Sequence, residues 1–344
     1  MTELAAAIRF LRFAGSRVAF AVSGDGPPLV AAAWWVSHLE LDSRDDAFRS
    51  FWGSTAAGHK LVRYDHPGTG MSDREVDPTA WTLDDEVALL GDVMDELGVD
   101  RTSLVGGSSG ACAAIAFAAR FPERVDRLLL YGAYAHGAAI APPDVREALA
   151  AAVRAHWGLG SRLLADVFVG TEDREARRRF ARDQRASAQA STAAALLELA
   201  YRMDVRPLLD QVRAPTVVVH RRADRAIPYA CGRELAASIP NARLVSLDGD
   251  AHLPWVGDWM SVSRALGSFL AGTPAPDPAA AVLLSRRERE VLTLVADGLS
   301  DREIAERITV SHHTVHRHVA NIRNKLGSGS RAAAVAEAAR LGLL

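Results

Sequence analysis

Short apolar runs and amphipathic helical stretches alternate along most of this chain. Val18–Ser23, Leu29–Ala33, Lys60–Tyr64, Ser103–Val105, Leu128–Tyr131, Thr216–His220 and Leu244–Leu247 are apolar, mostly rich in β-branched or bulky residues, and several are flanked by Gly, Pro or Asp. Each predicts a strand. Between several of them lie helical patterns such as Leu83–Leu97, whose Leu89, Leu90, Val93, Met94 and Leu97 share one face. Strands alternating with helices predict an α/β fold with a mainly parallel sheet covered on both faces. The opening MTELAAAIRFLRFAG has arginines inside its apolar part, so it is expected to form the first strand and not a signal peptide. Residues 140–208 break the rhythm: they are Ala- and Arg-rich, helical in pattern and carry no strand signal. An insertion of that kind predicts a helical lid.

The pattern changes at AGTPAPDPAA, residues 271–280, where three prolines among small residues favour an extended spacer, taken as 273–281. Residues 1–272 are expected to form one domain and 282–344 another. The second is wholly helical in pattern. Ser285 with Glu288 and Ser300 with Glu303 each have capping-box spacing, and Ser311 suits the N-cap of a third helix running to about Leu326. Gly327 and Gly329 end that helix, and Arg331–Leu341 predicts a fourth. Val291, Leu292, Leu294, Val295, Ile304, Ala305, Ile308, Val310, Val315, Val319, Ile322 and Leu326 supply a small core.

Charge sharpens this division. The whole chain of 344 residues has a formal net charge of −2, but residues 280–344 hold 10 Lys and Arg against 7 Asp and Glu. An acidic body with a basic tail fits a tail that meets an anionic partner. Four of the 11 histidines (His312, His313, His316 and His318) lie in that tail. His312 and His316 are four apart but have no third ligand beside them, so no metal is expected. The two cysteines, Cys112 and Cys231, lack metal-site spacing and suit reduced thiols in a cytoplasm. No apolar run approaches membrane-spanning length, and no cofactor is called for.

The candidate chemistry centres on GGSSGA, residues 106–111. Gly106 to Gly110 fit Gly-x-Ser-x-Gly with Ser108 in the middle. A nucleophile at a sharp strand-to-helix turn needs small neighbours, and the helix N-terminus behind it offers amides to a developing oxyanion. The Ser109 N–H is one such donor. An acid and a base should follow at the ends of later strands. Asp224 comes four residues after His220, and His252 five after Leu247, giving the order Ser, Asp, His. In these roles Asp224 orients the His252 imidazole, and His252 takes the Ser108 proton.

Around this constellation the chain resembles an α/β-hydrolase over residues 1–272. The matching segments are SGDGPPLV, RYDHPGTGMSD (63–73), the Ser108 turn, FPERVDRLLL (121–130), VRAPTVVVHRRADRAIP (212–228) and GDAHLP (249–254). The resemblance implies the catalytic set Ser108, Asp224 and His252. One segment departs from the family: AAAWWVSH, 31–38, has Ala33 and Trp34 where His-Gly is common. A second oxyanion donor then falls to the Trp35 amide, in a narrowed pocket. His38, His59, His66, His136 and His156 read as surface or hydrogen-bonded residues, and Trp34, Trp35, Trp255 and Trp259 as core or pocket lining. The six arginines of REARRRFARDQR, 174–185, read as a solvated lid face.

The second unit resembles a LuxR-type helix-turn-helix through SRREREVL, GLSDREIAERI, VSHHTVHRHVANIRNKL and SRAAAVAEAARLGLL. The resemblance implies double-stranded DNA as partner, with Thr314, His316, Arg317 and Asn321 of the third helix facing the groove, Lys325 near phosphate, and a dimer contact from the fourth helix. Ala320 stands where a long polar residue often reaches the groove. A transcriptional regulator that senses an unknown small molecule as a homodimer is the leading reading. A serine hydrolase of an ester, lactone or related acyl bond that also binds DNA is the alternative, and a hydrolase fold kept only for dimerisation is a third.

Overall fold

The structure is a computed structural model that describes residues 7–170, 173–272, 284, 286–326, 328 and 330–340. The chain divides into two compact units, residues 1–272 and 273–344. The expected spacer 273–281 and the capping residue Ser285 lie outside the described residues, so the box expected with Glu288 does too.

The first unit is built on an eight-stranded sheet in the order β1-β2-β4-β3-β5-β6-β7-β8. The strands are β1 (Ile8–Phe13), β2 (Ser16–Ser23), β3 (Pro28–Ala31), β4 (Lys60–Tyr64), β5 (Thr102–Gly107), β6 (Val125–Tyr131), β7 (Thr216–Arg221) and β8 (Ala242–Leu247). β2 pairs antiparallel with β1 and with β4, and β3 to β8 run parallel. The central strands β5 and β7 are buried along their whole length, which is why they read as unbroken apolar runs.

Helices cover both faces. They are α1 (Leu39–Arg44), α2 (Asp46–Thr55), α3 (Leu83–Glu96), α4 (Gly110–Arg120), α5 (Pro143–Ala155), α6 (Trp157–Val169), α7 (Arg174–Ser187), α8 (Ala190–Arg202), α9 (Tyr229–Ser238) and α10 (Trp259–Leu270). One core joins α3, α4 and α9 to the sheet through Leu90, Met94, Ile115, Phe117 and Leu235. The other joins α2 and α10 to its opposite face through Phe51, Trp52, Val262 and Leu266. The reading of 140–208 as an all-helical insertion corresponds to α5–α8, between β6 and β7. α1 and α2 were not read from the sequence. Each starts on a local cap: His38 accepts from the Leu41 amide, and Asp45 from the amides of Ala47 and Phe48.

In the second unit the helices are Arg286–Ala296, Asp301–Arg307, His312–Lys325 and Arg331–Arg340. Val291, Leu292, Ile304, Val315, Ile322 and Leu326 form its core with Ala334 and Ala338 of the last helix. The Ser300–Glu303 box is formed from both sides. Ser311 Oγ accepts from the Thr314 amide at 3.1 Å. Thr309 holds a left-handed φ of 56° in the turn between the second and third helices. No described helix is long and apolar enough to cross a membrane.

Candidate functional site

Ser108 occupies the turn between β5 and α4 with φ 52°, one of three non-glycine residues at positive φ among the described ones. A serine held there is strained, and the surroundings enforce it. Its amide donates to the Tyr131 carbonyl at 3.0 Å, and its carbonyl accepts from Ala111. The flanking glycines leave no choice of side chain. A Cβ on Gly106 would lie 2.6 Å from the Ala111 Cα, and one on Gly107 would lie 2.2 Å from the Trp34 ring.

Asp224 and His252 are hydrogen-bonded to each other, and no hydrogen bond joins Ser108 to His252 among the described residues. The His252 Nδ1–H donates to Asp224 Oδ2 at 2.9 Å. Asp224 Oδ1 accepts from the amides of Ala226 and Ile227. Burial pushes the Asp224 carboxyl up, but His252 and the amide bonds outweigh it and hold the group below the usual carboxylate range. Gly132, at φ 51°, makes room for the pair, since a Cβ there would stand 2.9 Å from the His252 ring. With Nδ1 committed to Asp224, a neutral His252 presents a lone pair at Nε2. That atom is buried and has no hydrogen-bond partner among the described residues.

Ser108 and His252 both line a cavity of about 130 Å³ beneath the inserted helices. Eight aromatic side chains line it, four of them tryptophans. Trp34 stacks on Trp255 with ring centroids 5.4 Å apart, Phe48 meets Trp255 edge-on, and Phe168 packs on the His252 ring at 5.4 Å. Trp35 is held by a bond from its indole N–H to the Ala193 carbonyl, 3.1 Å, so its ring is fixed against α8. Neither the Trp35 nor the Ser109 amide donates to a protein acceptor among the described residues. Trp34, Trp35 and Trp255 therefore line the pocket, as the sequence suggested; Trp259 packs against the α2–α10 core.

Several residues at this site were given no site role from the sequence. Asp42, Asp45, Arg63, Arg179, Asp183 and Gln184 also line the cavity. Arg179 comes from the arginine run read as a solvated face, but its guanidinium turns inward to Asp45 at 3.1 Å. The α7 helix is amphipathic, so a run of like charges can still place one member, here 42% exposed, at the mouth of the cavity. Arg221 is 1% exposed, and its guanidinium donates to the carbonyls of Ala251, Leu253 and Val256 on either side of His252. The five histidines set aside from the sequence have structural roles. His38 and His156 cap helices, His59 contacts a backbone carbonyl, His136 stands by Asp204, and His66 is buried against Glu86.

On the third helix of the second unit, His316, Arg317 and Asn321 are exposed and Thr314 is half-buried. Thr314 also bonds Ser311 through its hydroxyl at 2.8 Å. His316 Nδ1 lies 3.4 Å from Asp301. Lys325 donates to the buried Glu288 carboxylate at 2.6 Å, so an ammonium expected near phosphate is committed within the domain.

Comparison with known proteins agrees with this geometry. Residues 46–256 match the model of the alpha/beta hydrolase fold, and residues 282–338 that of the bacterial regulatory proteins of the luxR family. A 2-hydroxy-6-oxo-6-phenylhexa-2,4-dienoate hydrolase of Burkholderia cepacia is 30% identical over 213 residues, 57% of this chain and 72% of the relative. A 2-hydroxy-6-oxononadienedioate/2-hydroxy-6-oxononatrienedioate hydrolase of Burkholderia vietnamiensis is 30% identical over 239 residues, 67% of this chain and 78% of the relative. The crystal structure of the enol-lactonase from Burkholderia xenovorans superposes with a TM-score of 0.63 at 23% identity, covering 76% of this chain and all of that one. From the strained Ser108 turn, the strand order and these matches together, the chain belongs to the α/β hydrolase fold family and carries a C-terminal LuxR-family helix-turn-helix domain.

Proposed function

We propose that this protein is a transcriptional regulator whose hydrolase-fold unit binds a small molecule and thereby controls DNA binding, acting as a homodimer. The observation that carries the reading is the joining, in one chain, of a ligand-sized aromatic cavity at Ser108 and a LuxR-family domain. A sensor needs two states with different affinity for the ligand, not a fast reaction. Trp34, packed over the Gly107 backbone at a position where the family commonly has Gly, narrows the space beside Ser108 and favours retention over turnover.

Ligand-responsive operator binding tests the reading, using a duplex that the protein itself selects from a random pool. The Ser108→Ala protein is expected to keep the response. Val256→Trp, which fills the cavity from its lining, is expected to abolish it. Loss of response in a folded, ligand-binding Ser108→Ala protein would instead make covalent chemistry the signal.

A second reading, an active hydrolase that also binds DNA, draws on the Ser108 φ and the His252–Asp224 bond. In it Ser108 Oγ attacks an acyl carbon while its proton passes to His252 Nε2. That proton then leaves with the departing group; water, deprotonated by the same nitrogen, attacks the acyl carbon, and the proton passes to Ser108 Oγ as the acid is released. The amides of Trp35 and Ser109 stabilise the oxyanion.

DNA contact is assigned to Thr314, His316, Arg317 and Asn321, with Lys325 beside the backbone. Affinity should fall steeply with salt as counterions are released. Arg317→Ala is expected to cost about 1–3 kcal/mol on the selected site and less on random duplex. Equal losses on both DNAs in a binding titration would remove Arg317 from base readout. Lys325→Ala should also lower thermal stability, because the buried Glu288 carboxylate then loses the ammonium that pairs with it.

A further inference from the structure

We propose that the cavity is made for a ligand bearing a carboxylate at the end remote from Ser108, and that Arg63 recognises it. The inference deepens the sensor reading and rests on this cavity being the ligand site.

Arg63 sits in β4 and lines the cavity, yet it is only 7% exposed. Its side chain lies over the Phe48 ring, 4.8 Å from the centroid, and that face offers no hydrogen-bond acceptor. The nearest carboxylate oxygen, on Asp42, is 3.9 Å away, beyond hydrogen-bond distance. Among the described residues the guanidinium donates no hydrogen bond. Its nitrogens are not among the buried side-chain atoms that lack a partner, so they open to the cavity with only the distant Asp42 beside them, and an arginine so placed is suited to a planar anion that takes two of its donors. Arg179, the other cavity arginine, differs: it already has Asp45, and its side chain is 42% exposed.

Sheet register sets the length of the ligand. Ala31 of β3 pairs with Arg63 on one side and with Val105 on the other, so Arg63 and the strand leading to Ser108 are two strand spacings apart. That is about 10 Å across the sheet, and the three residues from Val105 to Ser108 add about 10 Å along the strand direction, a span that the long Arg63 side chain shortens. Trp34, Phe48 and Trp255 wall the cavity and suit an apolar body. The ligand class is thus an acyl compound, ester or lactone, with an apolar middle and a terminal carboxylate.

Asp42 tunes the affinity. Burial pushes its carboxyl up to about 7, against the attraction of Arg63 and with added repulsion from Asp65 and Asp45. Below that value a protonated Asp42 can donate to the incoming carboxylate; above it, a second negative charge stands beside it. The other charged groups nearby are His38, Glu40 and Arg74 around Asp65, the Arg179–Asp45 pair, Asp183 on the cavity wall, and the exposed Arg44 and the Arg49–Asp46 pair of α1 and α2.

The test uses the full chain with Ser108→Ala, so that no ester is consumed. Monomethyl esters of straight-chain diacids are compared with the dimethyl esters of the same diacids, from about five to ten carbons, by calorimetry. At one length or more the monoester should bind about tenfold or more tightly than its diester, the scale of a charge-assisted bidentate bond. Adding Arg63→Gln should bring the two within about twofold while leaving the diester affinity unchanged, which shows the cavity intact. Arg63→Lys should recover part of the preference. Monoester affinity should weaken as pH rises through about 7 and lose that dependence with Asp42→Asn. No monoester binding at any length, no preference over the diester, or a preference that survives Arg63→Gln overturns the proposal. Monoesters that bind as described but leave operator binding of the wild-type chain unchanged count against sensing alone, and anion recognition stands.

Discussion

Ser108→Ala and His252→Ala will each abolish fluorophosphonate labelling and lower the hydrolysis of p-nitrophenyl butyrate by at least about a thousandfold, if the wild-type chain turns it over. Three features drive this expectation. The φ of 52° at Ser108 projects a serine from a turn whose flanking glycines admit no side chain. Asp224 holds Nδ1 of His252, which leaves Nε2 as the basic nitrogen. Asp224 itself is ionised at neutral pH, because His252 and two amides outweigh the effect of its burial. Asp224→Asn would let the side-chain amide donate to Nδ1 and so favour the wrong imidazole tautomer. Its loss should approach that of the other two. Labelling that persists in Ser108→Ala would show another nucleophile, and the hydrolase reading would need a different centre.

Arg221→Met is expected to destabilise the first unit by about 2–4 kcal/mol and to slow Ser108 labelling more than tenfold. The guanidinium of Arg221 is buried and has no ion pair among the described residues. Backbone carbonyls of Ala251, Leu253 and Val256 take its place. These three carbonyls bracket His252, so one side chain at the end of β7 ties down the segment that carries the base. Methionine fills similar volume but leaves the carbonyls without donors. A melting curve measures the first effect. The second is separated from simple unfolding by labelling well below the melting temperature. There, a purely structural role would leave the rate and its pH profile unchanged.

The parts legible in the sequence were those whose cause is local. The strand runs from Lys60 and Thr216 begin where the structure begins them, since alternation and β-branching act within a few residues. The Ser300–Glu303 box spans three positions and was readable for that reason. The Ser, Asp, His order could be proposed from the sequence because Ser108 follows β5 at once and Asp224 and His252 fall three and five residues past β7 and β8. What escaped depends on distant partners. Lys325 meets Glu288 across 37 positions, and no spacing rule connects them. Arg63 stood inside a predicted strand as its one charged interior residue, which was a signal, but only the β4–β3–β5 register shows that it faces the same cavity as Ser108. Arg179 was hidden among six arginines because composition does not say which side of α7 each one takes.

The indoles around the cavity make this protein its own optical instrument. Of seven tryptophans in the chain, Trp34, Trp35, Trp52 and Trp255 line the pocket, and residues 273–344 contain none. Emission from the protein therefore originates wholly in the hydrolase-fold unit. Quenching on adding a small molecule reads pocket occupancy without any attached dye. A spectral change on adding DNA alone has a different meaning: the helix-turn-helix is dark, so the signal can arise only if DNA binding has altered the surroundings of an indole in the other unit. One cuvette thus separates occupancy from communication between the units.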